Sequence, residues 1–109
     1  MKKFTLGSSK EAVFKLIPEK IIKKVILGET TIGMVRIGET FFCFQAFCPH
    51  RGASLIQGNI NASKEIICPL HQYRFDLATG RLKSGSCEDL EVFPTELTEN
   101  GLEISIPDF

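Results

Sequence analysis

Between Lys23 and Phe47 three β-rich runs follow one another with almost no chain between them. KKVIL (23–27) leads through GET into TIGMVRI (31–37), which leads through GE into TFFCFQAF (40–47). Branched and aromatic residues suit a pleated surface, and glycine supplies the turn between runs. Connections this short join antiparallel neighbours, so the stretch predicts a meander. Near the C-terminus, LEVFPTEL (90–97) and LEISI (102–106) flank TENG. Asn-Gly between alternating runs is a strong hairpin signal. Leu102, Ile104 and Ile106 alternate with Glu103 and Ser105, giving one buried face and one wet face. Pro94 belongs at a strand edge or a bulge, because it has no N–H to give a ladder. The fold class expected is all-β.

Residues 46–86 read differently. Their strands are short (GNI, EIIC, RFDL), and FDLATGRL forms a small hairpin closed at Thr79-Gly80. Asp76 and Arg81 are expected to tie that hairpin. Gly52, Gly58 and Gly80 read as turn positions that need positive φ. SSKEAVFKL (8–16) starts a short helix capped by Ser8 or Ser9. The length of 109 residues fits one domain, 1–109, with no linker or repeat.

Charge narrows the function. Residues 1–54 carry nine Lys/Arg against four Asp/Glu, and residues 55–109 carry four against nine. The total is zero, which argues against non-specific nucleic-acid binding. The halves of opposite sign either orient a docking partner or are two solvated faces. The start, MKKFTLGSSKEAVF, has lysines but no apolar run behind them, so it does not read as a signal peptide. No stretch approaches the roughly 20 apolar residues of a membrane span. A cytoplasmic chain without a membrane segment is expected. In that compartment four cysteines point to metal or redox chemistry rather than to structural disulfides.

Both histidines lie in boxes that also hold a cysteine. The pattern is Cys48-x-His50, seventeen residues, then Cys68-x-x-His71. Two cysteines and two histidines suit a zinc ion, an iron–sulfur cluster or a thiol catalyst. Structural zinc prefers ligand pairs separated by two to four residues. The first pair has only Pro49 between its members. In extended chain, residues i and i+2 lie about 6–7 Å apart, a spacing that suits two adjacent metal atoms better than one.

CPHRGA and CPLH, with GASLIQGNI, ICPLHQYRFDLATGRL and CEDLEVFP around them, resemble the Rieske motif over residues 41–94. More narrowly, the chain resembles the Rieske-type ferredoxins that serve bacterial aromatic-ring dioxygenases. The resemblance implies a Rieske-like antiparallel β sandwich or barrel with an inserted cluster-binding subdomain at about 46–86. It implies one [2Fe–2S] cluster, with Cys48 and Cys68 on one iron and His50 and His71 on the other. Imidazoles in place of two thiolates raise the potential relative to all-cysteine ferredoxins. High-potential relatives tie their cluster loops with a disulfide, and Ala53 and Leu70 stand at its two positions here. They also donate hydroxyl hydrogen bonds to the cluster sulfurs, from places that Tyr73 and Phe75 occupy. Phe75 has no hydroxyl, so the expected potential lies at the low end of the Rieske range, around −150 mV. Gln72 replaces a glycine common in the family. The resemblance also implies an exposed docking patch of Pro49, Leu70 and Gln72 beside the histidines, and a potential that turns pH-dependent under alkaline conditions.

Cys43, in FFCFQAF, reads as a small buried hydrophobe. Cys87 lies in the loop that packs over the cluster in the family, where it either shields the cluster or simply packs. A Cys43–Cys87 disulfide is not expected in a reducing compartment. Arg51 and Arg74 either meet an acidic partner or are ordinary surface charges. No histidine remains for the further iron site that an oxygenase needs. The chain is therefore expected to be a monomeric one-electron carrier and not an enzyme, working between a flavin-containing reductase and an oxygenase or other acceptor. Two alternatives stand beside it: the small Rieske subunit of a larger reductase, like that of nitrite reductase, and a zinc-binding structural module.

Overall fold

The computed structural model describes residues 2–107. They form three antiparallel sheets and one short helix. β1 (Lys2–Leu6), β11 (Gly101–Ile106) and β10 (Thr95–Thr98) make the first, in the order β1-β11-β10. The second runs β2 (Lys23–Leu27), β3 (Thr30–Ile37), β4 (Thr40–Gln45), β9 (Val92–Phe93). The third is the inserted unit: β5 (Asn59–Ile60), β6 (Glu65–Ile67), β7 (Arg74–Asp76) and β8 (Leu82–Ser84), in chain order. The meander, the Asn-Gly hairpin and the insertion are as expected.

The middle of the second sheet, β3 and β4, is buried on both faces, which explains why β3 reads as a continuous apolar run. Ile32 and Met34 enter one core with Val13, Leu102 and Ile104, while Val35 enters another with Phe44, Ile66 and Phe75. Gly33 lets the Phe44 ring lie against the backbone, where a Cβ would collide with it. Helix α1 (Lys10–Leu16) caps the first core through Val13. Its N-cap is Ser9, whose Oγ accepts from the Ala12 N–H at 3.1 Å.

LEVFPTEL does not form one strand. Val92 and Phe93 pair with β4, while Thr95–Thr98 pair with β11, so Pro94 hands the chain from the edge of one sheet to the edge of another. Lacking an N–H, Pro94 interrupts a ladder where the pairing partner changes. Strand β1 was not anticipated from the sequence. Its register against β11, Lys2 opposite Ile106 and Leu6 opposite Leu102, joins the two ends of the described chain.

One local expectation is corrected and a second takes a particular form. Gly58 has φ −80° and ψ −166°, an extended conformation open to any residue. Glycine is needed there for space, because a Cβ would collide with the Ile67 carbonyl oxygen. Asp76 and Arg81 make no ion pair among the described residues. Their link is through backbone, Asp76 N–H to Arg81 carbonyl at 2.9 Å. The Asp76 carboxylate instead accepts from the Thr79 N–H and hydroxyl, at 3.0 and 2.7 Å. Gly52 and Gly80 do adopt positive φ, 71° and 78°.

Arg74 is not a free surface charge. Its Nη1 donates to Glu65 at 3.2 Å, and Asn61 Nδ2 donates to the same carboxylate oxygen at 2.7 Å. Glu65 is buried in the third sheet. Replacing it with alanine leaves Arg74 and Asn61 without their acceptor, and a loss of about 1–3 kcal/mol is expected. Urea denaturation of Glu65→Ala checks this; a loss below about 0.5 kcal/mol would mean that water replaces the carboxylate.

Candidate metal centre

Each box is a loop closed on its own cysteine. The Cys48 N–H donates to the Ala53 carbonyl and the Cys68 N–H to the Tyr73 carbonyl, both at 2.8 Å and both five residues on. In the first loop the Gly52 N–H also returns to the Cys48 carbonyl at 2.7 Å, with Gly52 in the left-handed region. The second loop turns through His71 (φ 68°) and Gln72 (φ 59°), neither of them glycine. A left-handed non-glycine residue costs about 1–2 kcal/mol. Gln72→Gly removes part of that cost, and thermal unfolding is expected to show a gain of about 0.5–1 kcal/mol; a loss would mean that the Gln72 side chain holds the loop.

The two loops bring the four residues together. Cys48 and Cys68 are buried, belong to the core that holds Phe75 and Leu77, and are close neighbours there. Above them the His50 and His71 ring centroids are 5.3 Å apart. His50 is half-buried and His71 exposed. Burial pushes the Cys68 thiol up and adjacent Cys48 adds to this, against a backbone hydrogen bond at Leu70 that pulls it down. His50 is held below the ordinary histidine range by desolvation and then by the Arg51 and His71 charges. A neutral imidazole is the form that binds metal.

His50 Nδ1 is buried and has no hydrogen-bond partner. An orphaned buried nitrogen is what binding to a metal would satisfy. Among the described residues, no three His, Cys, Asp or Glu side chains converge on one ion position. The donors come as a buried sulfur pair and an outer nitrogen pair. That division fits the two irons of a [2Fe–2S] cluster with mixed ligation, one held by sulfur and one by imidazole.

The remaining cysteines stand apart. All four are free thiols. Cys43 lies in the first core, and burial pushes it up to about 12, so it is an inert packing residue. Cys87 packs at the edge of the core that holds Cys48 and Cys68, and its Sγ donates to the Glu88 carbonyl at 3.2 Å. Burial raises it, and the Cys48, Glu88 and Asp89 charges raise it further.

Sequence reasoning placed Tyr73 at a hydroxyl-donor position but missed what its ring does. Its ring is stacked on His50, with centroids 4.1 Å apart and planes 9° from parallel. It also missed Gly85 (φ 123°), where a Cβ would collide with the Tyr73 ring. The only signal was the run of small residues in SGSC (84–87).

The Rieske [2Fe–2S] domain family matches residues 10–94. The anthranilate 1,2-dioxygenase ferredoxin subunit of Burkholderia cepacia is 29% identical over 82 residues, which are 74% of this chain and 75% of that protein. The ferredoxin in a complex of reduced oxygenase and oxidized ferredoxin, from carbazole 1,9a-dioxygenase, superimposes with a TM-score of 0.76 at 25% identity. That match covers 94% of this chain and 92% of the ferredoxin. A putative NADH-dependent nitrite reductase small subunit from Mycobacterium tuberculosis shares the fold, with a TM-score of 0.80 at 14% identity over 99% and 97% of the two chains. The matched residues span both loop boxes and the whole of the second and third sheets, and the chain belongs to the Rieske [2Fe–2S] domain family.

Proposed function

We propose that residues 1–109 are a single Rieske domain acting as a one-electron carrier, with Cys48 and Cys68 holding the inner iron and His50 and His71 the outer. One observation carries this reading: two buried, neighbouring cysteines and two neighbouring imidazoles, one of them with an orphaned buried nitrogen. When bound, the cluster supplies a one-electron couple. The protein's part is to exclude water from the sulfur side, through Leu55, Ile66 and Phe75, and to leave His71 exposed as the exit.

Surface residues support the expected docking patch. Leu70 and Gln72 are exposed and Pro49 half-buried beside the histidines, with Phe47 also exposed. A small apolar patch of this kind suits a transient partner. We place an oxygenase on the acceptor side, supported by the oxygenase–ferredoxin complex named above, and a flavin-containing reductase on the donor side. Free Cys43 and Cys87 suit the cytoplasm. No helix of the described residues is long and apolar enough to cross a membrane. The nitrite reductase likeness supports a second reading, a resident subunit of a larger reductase. Such a subunit co-purifies with its partner at nanomolar concentration, whereas a monomeric shuttle does not.

Phe75 is fully buried and has no hydroxyl to donate to a cluster sulfur. One donor fewer then stabilises negative charge on the cluster. Spectroelectrochemical titration is expected to give a one-electron wave near about −150 mV. A two-electron wave, or no redox-active absorbance at all, would overturn the carrier reading.

A further inference from the structure

The two imidazoles of the site are not equivalent. His71 is exposed, while one flat face of His50 is covered by Tyr73 in near-parallel contact. Tyr73 is itself held from two sides. Its carbonyl accepts from the Cys68 N–H, which fixes its backbone to the cysteine at the base of the loop. Gly85 lies over the ring, close enough that any side chain there would displace it. Gly85, Tyr73 and His50 therefore form a stack three residues deep, and the innermost member is the one with the orphaned Nδ1.

We infer that Tyr73 is a positioning residue for His50: its ring, seated by Gly85, holds the imidazole so that Nδ1 stays turned into the site, and it keeps water off that face. The inference rests on the cluster reading above. A histidine bound to metal is normally oriented by a hydrogen bond to its second nitrogen. Among the described residues no such bond to His50 is present, and an aromatic face supplies the constraint instead. Offset ring contacts at this distance are favourable beyond the area they bury. The role belongs to the flat ring and not to the hydroxyl.

Two consequences follow from removing the ring. His50 gains rotational freedom, so the bound cluster is lost faster. Water also reaches the imidazole, and solvent exposure favours the more negative, reduced form, so the potential rises.

The test compares the wild-type holoprotein with Tyr73→Phe and Tyr73→Met, the latter similar in volume but not flat. Iron and sulfide content, the g-values of the dithionite-reduced protein, the midpoint potential and the half-life of the cluster in excess chelator are read for each. Tyr73→Phe is expected to match the wild type throughout. Tyr73→Met is expected to load, to show shifted g-values and a raised potential, and to lose its cluster about tenfold faster, the scale on which supporting residues act at metal sites. If Tyr73→Met does not load, Gly85→Ala displaces the ring with every ligand intact and is expected to show the same shifts.

The inference is overturned if Tyr73→Met, or Gly85→Ala in its place, loads fully with unchanged g-values, potential and half-life. It is overturned equally if Tyr73→Phe is as impaired as Tyr73→Met, which would assign the role to the hydroxyl. A wild type without equimolar iron and sulfide is a different result, since it removes the cluster reading itself.

Discussion

Cys68→Ser is expected to give a folded, colourless protein with no iron and no sulfide. Cys68 is fully buried, its N–H closes the second loop, and it neighbours Cys48 in the same core. Serine keeps the shape and the backbone bond, so far-UV circular dichroism should be unchanged. It removes the thiolate, and a serine hydroxyl stays protonated where a metal-bound thiol does not. Losing a direct ligand costs more than losing a supporting group, so affinity falls by more than about a hundredfold. Cys43→Ser is the matching control. Cys43 is equally buried but lies in the other core, so this variant is expected to load fully while losing about 1–3 kcal/mol of stability to its buried hydroxyl. Equal loading of the two variants would mean that Cys68 is not a ligand.

Gly80→Ala is expected to be among the most destabilising single substitutions outside the four site residues. Gly80 combines two constraints that are separate at most turns. Its φ of 78° is strained for alanine, by about 1–2 kcal/mol. Its Cβ position also collides with the Leu90 carbonyl oxygen, while the Leu90 N–H donates to the Gly80 carbonyl at 2.7 Å. The hairpin of β7 and β8 is therefore clamped to the segment that leads into β9. An added methyl must break that clamp or shift backbone, for a further cost of about 1–3 kcal/mol. The total of about 2–5 kcal/mol should lower the melting temperature by at least about 10 °C in a domain of this size. A fall of only 2–3 °C would show that the Leu90 segment yields freely.

The sequence was most legible where structure is local. Glycine turns between β-rich runs, the Asn-Gly pair and the Ser9 cap each act within a few residues, and each formed where expected. The two boxes were legible because thiols and imidazoles are scarce here: both histidines and two of the four cysteines lie in them. What stayed hidden depends on neighbours remote in the chain. Gly58 looks like any turn glycine until the Ile67 carbonyl is placed against it. Arg74 looks like a surface charge until β6 brings Glu65 within its reach, one diagonal step along the neighbouring strand. Pro94 marks a break without saying that the pairing partner changes there. Gln72 gives no local sign that it will adopt the conformation of the glycine it replaces. Tyr73 lies two residues from His71 in sequence but covers His50, because the second loop folds across the first.

The most direct measurement is the content of iron, acid-labile sulfide and zinc per chain in the anaerobically purified protein, with the visible spectrum before and after dithionite. The account predicts about two iron and two sulfide per chain, no zinc, and a red-brown colour that bleaches on reduction. One zinc per chain, no sulfide, and a colourless protein that cannot be reconstituted with iron and sulfide would contradict it.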